Sequence, residues 1–141
     1  IMISKLSRRS SARKSVVANC ATSLILFGQI ETTLSRAKTI QPYIEKILTC
    51  ARAQTLSSRR VVAKRLNNDL AVAKVFNIIV HNMSQRKSGF TSIYSTRNRH
   101  GDGAPCVLIA LNKELFNVKD DLYDKSSQVS QLKKPIKKSV K

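Results

Sequence analysis

The chain has 141 residues, 26 Lys and Arg against 8 Asp and Glu, and a formal net charge of +18. That length suits one domain burying roughly two-thirds of its unfolded surface, and no stretch approaches the ~20 consecutive apolar residues of a membrane-crossing helix. Cys20, Cys50 and Cys106 lie far apart, a spacing that indicates neither a disulfide framework nor a zinc knuckle and reads as buried thiols in a reducing compartment.

Residues 1–7 read as an arm. Residues 1–30 have the Ser- and Arg-rich, acid-free composition of a transit peptide, but they run without a break into a helix that the fold needs. Ile1 ahead of Met2 fits an unusual start codon or a trimmed start. Ser10 or Ser11 is placed to cap a first helix reaching about Phe27, with Val16, Cys20, Leu24 and Phe27 on one face and Gly28 as the stop. Arg8, Arg9, Arg13 and Lys14 crowd the start of that helix, the wrong end for the helix dipole, which suggests that something other than helix stability explains them. Ile30 to Thr33 alternates and is β-branched, a strand. A second helix is expected from Thr33–Ser35 to about Ala53, with Ala37, Ile40, Ile44, Ile47 and Ala51 as its stripe. Leu56-Ser57-Ser58 opens a short third helix carrying Val61, Val62 and Leu66. After Asn67-Asn68-Asp69, a fourth helix presents Val72, Val75, Phe76, Ile79 and Met83 and ends before Ser88-Gly89. Two strands, Phe90 to Arg97 and Ala104 to Leu111, follow around the turn sequence His100-Gly101-Asp102-Gly103. The fold class expected is α/β (α+β), a two-layer domain of order α-β-α-α-α-β-β with a basic C-terminal tail.

The domain is expected to occupy residues 1–112. The remaining 113–141, with eight Lys against four acids, read as a basic extension that is flexible when free. Within the first 112 residues eighteen Lys and Arg face only Glu31, Glu45, Asp69 and Asp102. A surface that basic repels itself and calls for a polyanionic partner. Nucleic acid is the leading candidate.

Catalysis finds little support. His81 reads as surface or cap, and His100 belongs to a turn. A Cys106 nucleophile with His100 as base would be the sharpest enzymatic reading, but Cys106 falls in an apolar run, where thiols are inert. Metal ligands at workable spacing and phosphate-cradling glycine loops are missing from the sequence, so no cofactor, no metal and no small-molecule substrate are expected. The basic residues instead form clusters at element ends: Arg8-Arg9, Arg13-Lys14, Arg36 with Lys38, Arg59-Arg60, Lys64-Arg65, Arg86-Lys87 and Arg97 with Arg99. Arg prevails in the folded part, suiting fixed bidentate phosphate contacts. Of the rings, Tyr43, Phe76 and Phe90 read as core and Tyr94 alone as able to stack, so recognition by shape and backbone of structured RNA is favoured over base stacking.

The segment Ile30-Glu31-Thr32-Thr33-Leu34-Ser35-Arg36-Ala37-Lys38 resembles the signature of the bacterial large-subunit ribosomal protein family seventeen. The resemblance continues in Ser58-Arg59-Arg60, Asp69 to Phe76, Gly89 to Ile93 and Arg99 to Pro105, in the family's order, and covers about residues 6–111. It implies a structural, non-catalytic protein that binds large-subunit rRNA near the outer end of the nascent-peptide tunnel, beside other large-subunit proteins. Positions matching the family's basic blocks are Arg36, Lys38, Arg59, Arg60 and Arg99; Arg8, Arg9, Arg13, Lys14, Lys64, Arg86, Lys87 and Arg97 join them on the charge argument. The family usually starts with a longer His- and Arg-rich arm, commonly has Asn where Gly103 stands, and usually ends near residue 113. The location expected is the ribosome of a bacterial cytoplasm, with an organellar ribosome as the alternative. The competing reading is a free-standing nucleoid-type DNA-binding protein.

Overall fold

Three antiparallel strands in the order β1-β3-β2 form one layer, with β1 (Gln29–Thr33) and β2 (Thr91–Asn98) flanking β3 (Pro105–Leu111). The computed structural model describes residues 4–83, 87–112 and 115. Helices α1 (Ser10–Phe27), α2 (Leu34–Ala51), α3 (Leu56–Arg65) and α4 (Asp69–Lys74) follow the expected order; α4 continues through a π-helical segment, Val75–Ile79, into the short α5 (Val80–Asn82). The two-layer α+β architecture is as the sequence implied. The expected tail lies outside the described residues, apart from Leu115, which is fully buried in the core.

The strand register explains which faces are covered. Ile30, Ile109 and Ile93 align across the sheet, as do Thr32, Val107 and Ser95. Side chains alternate along a strand, so Val107, Ile109 and Leu111 of β3 share one side, and all three are buried. This is the side that packs on Leu24, Ile25, Ile40, Ile44, Ile47 and Leu48 in one core. Helix α2 touches all three strands. The other side carries Glu31, Leu108 and Tyr94 in one row, with Tyr94 exposed.

Local chemistry sets the joints. Gly28 ends α1 in the left-handed region (φ 77), its N–H donating to the Leu24 carbonyl at 2.8 Å while its own carbonyl accepts from Leu111 N–H at 2.8 Å. A side chain would be strained at that angle. The Thr55 hydroxyl caps α3 by accepting from Ser58 N–H at 3.1 Å, and Asn68 Oδ1 caps α4 by accepting from Leu70 N–H at 2.8 Å. Between Ser95 and Asn98 the pairing slips, placing one extra residue of β2 opposite β3. Such a bulge re-aims the side chains beside it.

Two faces differ from expectation. Helix α1 buries Val17, Ala18, Ala21, Thr22, Leu24 and Ile25, whereas Val16 and Cys20 are half-buried and Phe27 is 55% exposed. Apolar residues surround this helix on several sides, so periodicity alone did not select the face. The small side chains of Ala18 and Ala21 let neighbouring helices approach, and Thr22 satisfies its hydroxyl on the Ala18 carbonyl at 2.9 Å. In the fourth helical run the π segment rotates the stripe, so that Ile78 and Val80 are buried with Val75, Phe76, Ile79 and Met83, while Val72 is only half-buried.

The second layer is fastened to the hairpin by Glu45 of α2. One carboxylate oxygen accepts from Phe90 N–H at 2.8 Å, Thr91 N–H at 3.0 Å and Thr91 hydroxyl at 2.9 Å, and the other accepts from Gly89 N–H at 3.1 Å. Phe90 is thereby placed wholly inside the core. Hydrogen bonds to a charged acceptor contribute about 1.5–3 kcal/mol each at most, and deleting the acceptor strands the part-buried donors of Phe90 and Thr91. Glu45→Ala is therefore expected to lower unfolding stability by about 2–4 kcal/mol in urea denaturation, with Glu45→Gln losing less; an unchanged midpoint for Glu45→Ala would contradict this role.

Candidate nucleic-acid interface

The four carboxylates of the first 112 residues are all placed structurally. Glu45 holds Gly89 to Thr91 as above. Glu31 accepts from Arg97 Nε at 3.3 Å, an exposed pair that crosses the outer side of the sheet from β2 to β1. Asp102 pairs with Arg99 in the hairpin turn, Nε donating to Oδ1 at 3.0 Å and a terminal guanidinium nitrogen donating to Oδ2, and it also accepts from Ala104 N–H at 3.3 Å. Asp69 lies in the first turn of α4, where the helix dipole favours it. Among the described residues, Arg97–Glu31 and Arg99–Asp102 are the ion pairs. No cation of α1, α2 or α3 among the described residues is in an ion pair with one of these carboxylates, although Glu45 borders a groove with Lys46 and Arg65.

Three of these helices bring cations together. Arg13 and Lys14 of α1 face Lys46 of α2 across a groove whose walls include Val17, Pro42 and Tyr43. A second groove shares Lys14 and Tyr43 and continues along α3 past Val61, Lys64 and Arg65 to Asn67. Pro42 stands inside α2, where a proline withholds an N–H from the carbonyl four residues earlier and costs about 3 kcal/mol or more; its half-buried ring forms part of the groove wall. The Tyr43 hydroxyl donates to the Arg65 carbonyl at 3.0 Å, fixing the end of α3 against α2. Burial pushes the Tyr43 phenol above its ordinary range, against the opposing effect of the Arg65 charge, so the ring stays protonated as a donor.

The remaining cations sit elsewhere. The Arg59 guanidinium lies 5.1 Å from the centroid of the Phe76 ring, a cation–π contact that fixes its direction. It borders a shallow groove with Leu56, Asn77 and His81. Arg8 and Arg9 are exposed just before α1, where Leu6 and Ser7 both take left-handed backbone (φ 53 and 49) and Arg8 N–H returns to the Lys5 carbonyl at 3.2 Å. Arg36 is close enough to Cys20 to oppose the rise that burial imposes on that thiol. No helix among the described residues is long and apolar enough to cross a membrane, and no His, Cys, Asp and Glu group among them could hold a metal ion.

The family description "Ribosomal protein L17" matches residues 16–112. Curated relatives named "Large ribosomal subunit protein bL17" agree with it. That of Thermomicrobium roseum is 44% identical over 105 residues, covering 74% of this chain and 90% of the relative. That of Neorickettsia sennetsu is 40% identical over 106 residues, covering 74% and 91%. The chain belongs to the ribosomal protein L17 family. It is accordingly a structural constituent of the large ribosomal subunit in a bacterial-type ribosome, and not an enzyme. The Wolbachia pipientis (subsp. Culex pipiens) relative is 36% identical over 130 residues, covering 91% of this chain and 92% of its own length. Its match runs well beyond residue 112, so some L17 proteins share part of the extension that the resemblance left uncovered.

For this L17-family chain the structure gathers Arg13, Lys14 and Lys64 at one surface. It places Arg59 and Arg60 on α3, Arg36 and Lys38 near the start of α2, and Lys87 in the loop before β2. Arg97 and Arg99 differ from the others in having carboxylate partners. Arg86 falls outside the described residues. Lys46 and Arg65 line the shared grooves as well. Reading clusters by adjacency along the chain missed Lys46, which stands beside Glu45; its position one helical turn from Tyr43 was the available signal.

The hairpin pair has a pH signature. The Arg99 guanidinium, together with the Ala104 N–H, holds the Asp102 carboxyl down from 3.8 to about 2. A lowered folded pKa means the charged Asp102 supports the turn at all pH above the ordinary carboxylate range and stops doing so as pH falls through about 2. Carboxyl-carbon NMR titration should give Asp102 a midpoint near 2, and Arg99→Gln should return it towards the ordinary range; an ordinary midpoint in the unsubstituted protein would refute the pairing.

Proposed function

We propose that, within the large subunit, this chain binds rRNA through phosphate and shape contacts near the exit of the nascent-peptide tunnel, beside neighbouring large-subunit proteins. The observation that carries the reading is the pair of grooves of α1, α2 and α3, lined by Arg13, Lys14, Lys46, Lys64 and Arg65 and, among the described residues, by no carboxylate. Unneutralised cations fixed on packed helices suit a phosphate backbone, which releases counterions when it meets them. Arg8, Arg9, Arg36, Lys38, Arg59, Arg60, Arg86 and Lys87 are proposed as further phosphate contacts around this centre. Arg97 and Arg99 are proposed as peripheral contacts, since each is already engaged by a carboxylate. The tunnel-exit location rests on the family resemblance. Residues 1–112 are proposed as the rRNA-binding domain, with Leu115 just beyond them packed into its core, and the rest of 113–141 as a basic extension that adds looser attachment.

Equilibrium binding of a large-subunit rRNA fragment at several salt concentrations tests the reading. About six to ten phosphate contacts imply a loss of roughly 10³–10⁵ in affinity between 50 and 200 mM salt for a duplex. Replacing both Lys14 and Lys64 by Ala should weaken binding to all RNA sequences and flatten the salt slope by about two. Salt-insensitive binding, or clear preference for duplex DNA over rRNA at one salt concentration, would sink it. For the location, a photocrosslinker on Lys87 should capture rRNA or protein at the tunnel exit in assembled subunits; crosslinks confined to the subunit interface would refute that placement.

A further inference from the structure

We infer that the groove between α1 and α2 receives a single unstacked nucleotide of the RNA, an inference that rests on the rRNA-binding reading and names what that site takes. The groove has two chemically distinct parts. One part of its lining is apolar, made by the buried Val17, the half-buried ring of Pro42 and the half-buried ring of Tyr43, with the Thr39 hydroxyl donated to the Ser35 carbonyl. The other part is cationic, Arg13 and Lys14 from α1 and Lys46 from α2, the two lysines exposed. Phosphates alone would have no use for the apolar part, and an apolar protein segment would leave three cations unpaired. A nucleotide has both parts needed: a flat base with an apolar face and phosphates on either side of it.

The surroundings give the strand a direction. Lys14 and Tyr43 also border the second groove, which passes Lys64 and Arg65 and ends at Asn67. A backbone leaving the base pocket at Lys14 therefore meets two further cations along α3 without crossing an acidic residue. Glu45 is the carboxylate nearest Tyr43 and Lys46 in sequence, and both of its oxygens are turned to the amides of Gly89 to Thr91; Asp69, two residues beyond Asn67, lies in the first turn of α4. Tyr43 cannot swing away, because its hydroxyl is held by the Arg65 carbonyl. A ring fixed in this way is a preorganised wall for a base. From sequence, Tyr94 alone reads as able to stack and base stacking is disfavoured, with Tyr43 reading as core; in the structure Tyr43 is only half-buried, and its position among five cations makes it the better platform.

The test uses the full chain and two RNA hairpins that differ by one bulged nucleotide. The bulged hairpin should bind about tenfold tighter than the fully paired one at the same salt, the order of one base–aromatic stack. With 2-aminopurine at the bulge, binding should change its fluorescence, and 4-thiouridine there should crosslink to peptides of α1 or α2. Tyr43→Phe should keep the preference and Tyr43→Ala should abolish it. Equal affinity for the two hairpins, or bulge crosslinks mapping to Tyr94, overturns the inference while leaving rRNA binding intact. Failure to bind either hairpin overturns the rRNA reading and this inference with it. Should Tyr43→Ala fail to fold, the wild-type crosslink map decides.

Discussion

Glu45 links the chemistry of the fold to that of the surface. Its carboxylate closes onto three consecutive backbone amides and a hydroxyl at the entry to β2, so α2 and the hairpin cannot separate without exposing those donors. The same bonds withdraw the one acid that neighbours Lys46 in sequence. Glu31 and Asp102 act alike on a smaller scale, each tied to an arginine of the hairpin. A protein with so few carboxylates uses them to hold its own chain, and the cations of the helices are left for another molecule.

That division shapes the distribution of charge. The hairpin end is internally compensated, with Arg97 and Arg99 each facing an acid, while among the described residues the cations of α1, α2 and α3 form no ion pair with those acids. Net charge alone describes a uniformly basic particle. The structure shows a more local arrangement, with five cations lining the two grooves that share Tyr43. Arg59 belongs to a different surface, held over Phe76 by its ring face, so the chain offers fixed arginines in more than one direction.

Much of this fold was legible because several local signals agreed. Gly28 stands where a helix must stop and the stripe of α2 from Ala37 to Ala51 repeats with helical period, whereas the cap expected of Ser10 or Ser11 does not form, since α1 begins at Ser10 with Arg9 at its N-cap and no side-chain cap bond. The hairpin turn announced itself through Gly101 and Gly103. The face of α1 was not legible, since it is decided by the close approach that Ala18 and Ala21 permit rather than by the largest apolar residues. The π segment was invisible too: an i→i+5 turn has no composition of its own and depends on how Val75 to Ile79 meet the core. For the site, the family blocks pointed to the large ribosomal subunit, which the family match bears out, but grooves between helices distant in sequence cannot be read along a chain. Lys46 shows this, because it gains meaning only beside Arg13 and Lys14.

The strand order carries a consequence for how the chain reaches this state. β3 is the middle strand, yet it is the last one made, and Ile30 waits for Ile109 across most of the sequence. Contacts that distant must overcome a large loop-closure entropy before they reward it. During synthesis the helices emerge first, with their apolar stripes uncovered and their like charges unscreened. A polyanion meeting α1, α2 and α3 at that stage would relieve the repulsion before the sheet closes beneath them. With the order β1-β3-β2 the sheet, and with it the joint at Gly28 and Leu111, can close only once β3 has been made.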